Sequence, residues 1–283
     1  PRVGRQVMRA AAEHLTPVTL ELGGKSPAIV GPDADLRESA LRIAHGKAFN
    51  AGQICVAPDY ALVPRGKAEA FAAAVADAFT RLYPTVSGNA EYTSIITERH
   101  AVRLRELLAD AQAKGATLLR CGADAGSGRQ MPLTVVTRVE ERMQLMQEEL
   151  FGPILPVLEY DSLDDAMALV RRGERPLSLY GLGLSAADQA RVLKETHAGG
   201  VTFNDWGWHV FQHDLPFGGI GNSGMGTYHG EEGFRELSHA KGVFKRHGWF
   251  PVGLFYPPYG NLVQRLAMKF FIGDPPTPPR PPR

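Results

Sequence analysis

Apolar positions along this chain follow two alternating rhythms. Short unbroken runs of aliphatic and β-branched residues, such as PAIV (27–30), YALVP (60–64) and LTVVT (133–137), have the look of strands buried on both faces. Longer stretches repeat an apolar residue every three or four positions, as an amphipathic helix requires. The pattern predicts strands over 18–22, 27–30, 59–64, 116–122, 132–139, 152–160, 179–185 and 199–204. It predicts helices over 4–14, 32–53, 66–82, 97–114, 162–173 and 186–197. Pro17 stops the first helix, Asp33 or Asp35 caps the second, and Ser162 caps the fifth. Helices and strands in alternation imply an α/β fold with a mostly parallel sheet. The rhythm breaks at 206–230, a Gly-rich loop whose aromatics argue against disorder. It ends in DPPTPPRPPR (274–283), which reads as a solvated tail.

Composition narrows the function. The 283 residues carry a net charge of +1, with 44% hydrophobic and 22% charged residues. A soluble globular protein fits these values, and no basic patch points to nucleic acid. Two cysteines make no disulfide framework, so a reducing compartment and cytoplasmic placement are expected. No apolar run is long enough to span a bilayer, and the amphipathic stretch 260–273 is too short and twice interrupted by basic residues. The histidines at 209, 213, 229 and 239 fit no zinc spacing, so no metal is expected. The chain opens on PRVGRQVMRAAAEHL, text of a helix already under way. It is therefore expected to be the C-terminal portion of a longer protein, inactive or nearly so alone.

Two residues suggest chemistry. Cys55 follows Gly52 in FNAGQICVAPDY, where a tight turn and backbone N–H groups favour a thiolate. A free thiol, with a pKa of about 8.5, is otherwise mostly protonated at neutral pH. Glu21 interrupts the apolar run VTLEL just before Gly23-Gly24, and a desolvated carboxylate there makes a general base. Taken singly, Cys55 is more often a buried core thiol, and Glu21 is equally an outward-facing strand residue. Cys121 keeps the core reading.

Four segments change that weighing. LELGGKS (20–26), FNAGQICVA (49–57), MQEELFGPILPV (146–157) and LPFGGIGNSGMGTYHGEEGF (215–234) stand in the order and spacing of the aldehyde dehydrogenase superfamily. The resemblance spans nearly all of residues 1–245, and YHG after SGMG together with PDY after the Cys55 segment is most similar to the branch of coniferyl, fatty and aromatic aldehyde dehydrogenases. It implies oxidation of an aromatic or apolar aldehyde to the acid with NAD, or alternatively NADP, through a Cys55 thiohemiacetal and thioester. Glu21 would activate the hydrolytic water. It also implies that Gly4, Glu149 and Phe151 contact the cofactor, that Asn204 and Phe217 lie by the substrate pocket, and that the full-length protein is a homodimer. The implied architecture is a remnant of a Rossmann-type cofactor domain (1–22), a catalytic domain (23–225), a return segment with an oligomerisation strand (226–250) and a tail (251–283). Trp206, Trp208, His209, Phe211 and His213 either line a substrate entrance or pack under the sheet. Two other functions compete: a cofactor-independent thiol esterase using Cys55 and Glu21, and a non-catalytic structural protein. Retention of Cys55, Glu21 and Glu149 together argues against the latter.

Overall fold

The runs that read as doubly buried strands assemble into one sheet of seven. The computed structural model describes residues 1–122, 126–249 and 252–273. Helix α1 (Arg2–Ala12) leads into a two-residue strand β1 (Leu20–Glu21), then β2 (Pro27–Val30) and α2 (Leu36–Ala48). Asp35 caps α2 by accepting from the N–H groups of Arg37 (2.8 Å) and Glu38 (3.1 Å), which resolves the choice between the two aspartates. Next come β3 (Tyr60–Pro64), α3 (Ala68–Leu82), α4 (Glu98–Ala113) and the antiparallel edge strand β4 (Thr117–Arg120) beside β5 (Thr134–Thr137). After a single turn of helix, α5 (Gln144–Gln147), the chain alternates through β6 (Ile154–Tyr160), α6 (Leu163–Arg172), β7 (Ser178–Leu182), α7 (Ala186–Glu195) and β8 (Gly200–Phe203). Ser162 closes a capping box with Asp165 at the start of α6.

The sheet order is β4-β5-β6-β3-β2-β7-β8, and every pairing except β4 with β5 is parallel. Alternate residues of each strand enter opposite layers. Ala28, Val30, Ala61 and Val63 join a core with α2, α3 and α4, including Ile43, Phe71, Phe79 and Leu104. Ile29 and Leu62 join a second core with Ala166, Met167 and Val170 of α6 and Val192 of α7. Helices therefore cover both faces, which is why the strands carry no polar alternation.

The segment 206–230 is less irregular than its glycines suggest. It contains a helical turn, α8 (Trp208–Phe211), and a strand β9 (Gly224–Met225) that pairs antiparallel with β1, Glu21 opposite Gly224. Helix α9 (Gly230–Glu236) follows. The chain then divides into two units, 1–239 and 240–283, so residues 1–22 share a unit with the seven-stranded sheet. Residues 240–247, within the stretch 226–250 expected to hold an oligomerisation strand, form no strand here. The second unit holds α10 (Leu262–Ile272), capped by Asn261 and Gln264. The Pro-rich tail lies outside the described residues. Among the described residues no helix is long and apolar enough to cross a membrane.

Candidate active site

Three loops bring the chemistry together, and each immediately precedes a central parallel strand. The Glu21–Lys25 turn leads into β2, the Cys55 loop into β3, and the segment 148–152 into β6. After α2 the chain passes through three left-handed residues in succession, Asn50 (φ 51), Ala51 (φ 52) and Gly52 (φ 71). A Cβ on Gly52 would stand 2.5 Å from the carbonyl oxygen of Gly152 and 3.0 Å from that of Lys47, so only glycine lets the turn approach the 148–152 segment. Gln53 fixes the turn from the other side: its amide donates to Asn50 O (3.1 Å) and Ser94 O (3.2 Å), and its oxygen accepts from Ile96 N–H (2.9 Å). The Tyr180 hydroxyl on β7 donates to the carbonyl of Val56, next to the thiol. Gly23 (φ 77) opens the opposing turn, for a Cβ there would collide at 2.8 Å with both carboxylate oxygens of Glu149.

Cys55, Glu21, Glu149 and Phe151 line one pocket of about 560 Å³, together with Pro1, Arg2, Val3, Leu22 and Gly23. Burial pushes the Cys55 thiol up to about 12, and the neighbouring carboxylates of Glu21 and Glu149 push in the same direction. Burial also raises Glu149 to about 7, against the pull of the Gly24 N–H that donates to its Oε1 at 3.0 Å. One oxygen of Glu21, Oε1, is buried with no hydrogen-bond partner. A thiol in this setting stays protonated until its proton is taken up or a positive charge arrives beside it. An unpaired buried carboxylate oxygen is, in turn, an acceptor held ready for a water molecule.

The other expected residues take varied places. Phe151 lines the pocket, about one-third exposed, in a left-handed conformation (φ 50). Gly4 is buried but does not line it; a Cβ there would meet Leu22 at 2.9 Å, so the glycine seats α1 against the Glu21 turn. Asn204 (φ 60) ends β8 and spends its side-chain oxygen on Gly183 N–H (3.0 Å), away from the pocket lining. Phe217 is buried behind Tyr228, their rings edge to face with centroids 5.5 Å apart, and Tyr228 feels the charges of Glu21 and Cys55. Among the aromatic residues of the loop, His209 turns inward. Ser178 Oγ and Thr202 Oγ1 hold its two ring nitrogens at 3.0 and 2.8 Å, and burial lowers its pKa to about 4. Trp206 is buried and donates to His45 Nδ1, while Trp208 and Phe211 remain exposed. Cys121 is fully buried in the core, as its sequence context implies.

Several charged residues of the site escaped the sequence reading. Asp59 is buried at the head of β3, ion-paired through Oδ2 to Lys25, and its Oδ1 accepts from Leu150 N–H at 3.0 Å. Lys47 on α2 is fully buried, and its pKa falls to about 8 because burial outweighs the carboxylates of Asp59 and Glu149. Periodicity gave no sign of either, since Lys47 sits in a polar-looking turn of helix and Asp59 looks like a strand boundary.

With this geometry in view, the chain compares as follows with known proteins. The profile of the Aldehyde dehydrogenase family matches residues 1–243. A Pseudomonas aeruginosa protein named "Probable coniferyl aldehyde dehydrogenase" is 53% identical over 270 residues, covering 95% of this chain and 56% of that protein. A structure of the substrate-bound state of Staphylococcus aureus AldH superposes with a TM-score of 0.81 at 36% identity, over 95% of this chain and 58% of that one. Betaine aldehyde dehydrogenase from Staphylococcus aureus, in complex with NAD+, gives 0.73 at 28% identity, over 83% of this chain and 48% of that one. The chain thus spans about half the length of the relatives it matches.

Proposed function

This chain belongs to the aldehyde dehydrogenase family, and on that premise we propose that the protein carrying it oxidises an aldehyde to the carboxylic acid with a nicotinamide dinucleotide, Cys55 as nucleophile. The observation that carries this is the convergence of Cys55, Glu21, Glu149 and Phe151 on one pocket from three separate loops. Resemblance to a coniferyl aldehyde dehydrogenase favours an aromatic, hydroxylated aldehyde as substrate. A homodimer in the cytoplasm is the assembly and location that go with this reading.

The pocket suits the cofactor. Ionised, Glu149 offers acceptors only, which match ribose hydroxyls, and Phe151 brings an aromatic ring to the pocket wall. When bound, the oxidised nicotinamide supplies a hydride acceptor and a positive charge beside the thiol. The residues do the rest. Cys55 passes its proton to the neighbouring Glu21 carboxylate and on to solvent as its sulfur bonds to the aldehyde carbon; departure of hydride from that carbon, with the carbonyl re-formed, leaves an acyl thioester on Sγ. Glu21, which lines the same pocket and has its Oε1 unpaired, accepts a proton from water as the water adds to the thioester. Collapse of the adduct breaks the carbon–sulfur bond, releases the acid and restores the thiol.

The test uses the whole protein that carries this sequence. Cys55→Ala is expected to abolish aldehyde-dependent formation of the reduced nicotinamide. Glu21→Gln is expected to give a burst of about one equivalent per active site and then stall, because the acyl group forms but is not released. Steady turnover by Cys55→Ala would remove the proposal.

A further inference from the structure

Four consecutive backbone carbonyls precede β6, and each accepts a hydrogen bond from a basic side chain. Lys25 Nζ donates to Glu148 O at 3.0 Å and also to Leu145 O at 2.8 Å. Arg103, from α4, reaches Glu149 O at 2.6 Å and Leu150 O at 3.0 Å. His100, one turn earlier on the same helix, meets Phe151 O through Nε2 at 2.7 Å. From the opposite side Asp59 takes the Leu150 N–H and pairs with Lys25. Backbone carbonyls outside helices and strands are ordinarily satisfied by turns or water. Here four side chains from three elements grip residues 148–151, the stretch that carries Glu149 and the left-handed Phe151. A non-glycine residue in that conformation persists only where its surroundings over-determine it.

We propose that Lys25, Asp59, His100 and Arg103 are positioning residues, a cradle that holds the 148–151 backbone so that the Glu149 carboxylate stays in the pocket it shares with the thiol of Cys55. The inference rests on the assignment of Cys55 and Glu149 to one site. None of the four lines the pocket that contains the thiol. They act through the backbone they hold. Loosening the cradle lets Glu149 swing away, and the thiol then loses one of the negative charges that keep it protonated. The groups facing the thiol are Glu21, Glu149, Tyr180 and Tyr228; those facing Glu149 are Glu21, Lys47 and Asp59. Of these only Glu149 rides on the cradled segment.

The experiment needs neither aldehyde nor cofactor, so its failure leaves the proposed reaction standing, and failure of that reaction leaves it readable. Iodoacetamide alkylation of Cys55 in the 283-residue chain is followed by peptide mass spectrometry between about pH 7 and 10, where the thiol titrates well above the range. Arg103→Met is expected to speed alkylation about tenfold at roughly pH 9–10, where Glu149 is ionised, the effect of lowering the thiol by one unit, and by less toward about pH 7, where Glu149 is half protonated. Asp59→Asn is expected to act in the same direction. Arg103→Lys, which retains a single ammonium for the two carbonyls, gives a smaller gain. In a Glu149→Gln background Arg103→Met changes the rate little, because the charge it would displace is gone. Arg103 is partly exposed on α4, so its variant carries the test even if Asp59→Asn melts without a cooperative transition. No acceleration by Arg103→Met, or equal acceleration with and without the Glu149 carboxylate, would overturn the cradle: the first means that Glu149 has not moved, the second that the thiol has merely become more accessible.

Discussion

A single carboxyl group shows how the site sets burial against charge. Glu149 is raised from 4.5 to about 7 by burial, so the folded chain keeps a proton there that the unfolded chain releases. The sign follows: its contribution to stability is fully present below about pH 4.5 and is lost as pH rises through about 7, with a ceiling near 3 kcal/mol. Glu149→Gln is therefore expected to raise the melting temperature at about pH 8 and to leave it unchanged at about pH 4, as calorimetry at the two pH values would measure. The same residue was legible in sequence only through its segment MQEELFGP, because an isolated glutamate beside Glu148 carries no signal of burial. Asp59 and Lys47 were not legible at all. Their burial depends on partners 34 residues or more away in the chain, or on the packing of α2 against the sheet, and local pattern holds neither fact.

Elements were read more faithfully than residues, and for a physical reason. Parallel strands covered on both faces are largely apolar, so β2, β3 and β5 stand out as unbroken runs and β6 is broken only by the exposed Glu159 near its end. Caps such as Ser162 are likewise local events. The strand β9 failed to show because two residues, Gly224 and Met225, are extended only by pairing with β1, a tertiary contact without a period. The left-handed turn 50–52 is the opposite case, since its glycine was visible while its neighbours Asn50 and Ala51 gave no warning of their conformation. Gly52→Ala is expected to cost roughly 2–4 kcal/mol, from a positive φ and a collision with two backbone carbonyls that have little freedom to yield. Chemical denaturation would read it, with the loss in midpoint at unchanged slope.

At the scale of the molecule, the cores settle what can be removed. Both hydrophobic clusters end before residue 218, and in the unit beginning at Ala240 the one residue classed as buried among those described is Gln264. A chain ending at His239 is expected to unfold cooperatively with nearly the melting temperature of the whole, as followed by circular dichroism. The sheet also has a polarity. Its chemistry gathers where β2, β3 and β6 begin, whereas open α/β sheets commonly bind ligands beyond the carboxyl ends of their strands. The turns that leave those strands, among them the exposed pair Pro32 and Asp33, stand on the far rim, a full strand length from the thiol. That rim lies away from the chemistry: a few glycines and serines spliced between Pro32 and Asp33 would cost the turn its Ala34 N–H to Gly31 O bond of 3.2 Å, yet are expected to leave the alkylation rate of Cys55 unchanged.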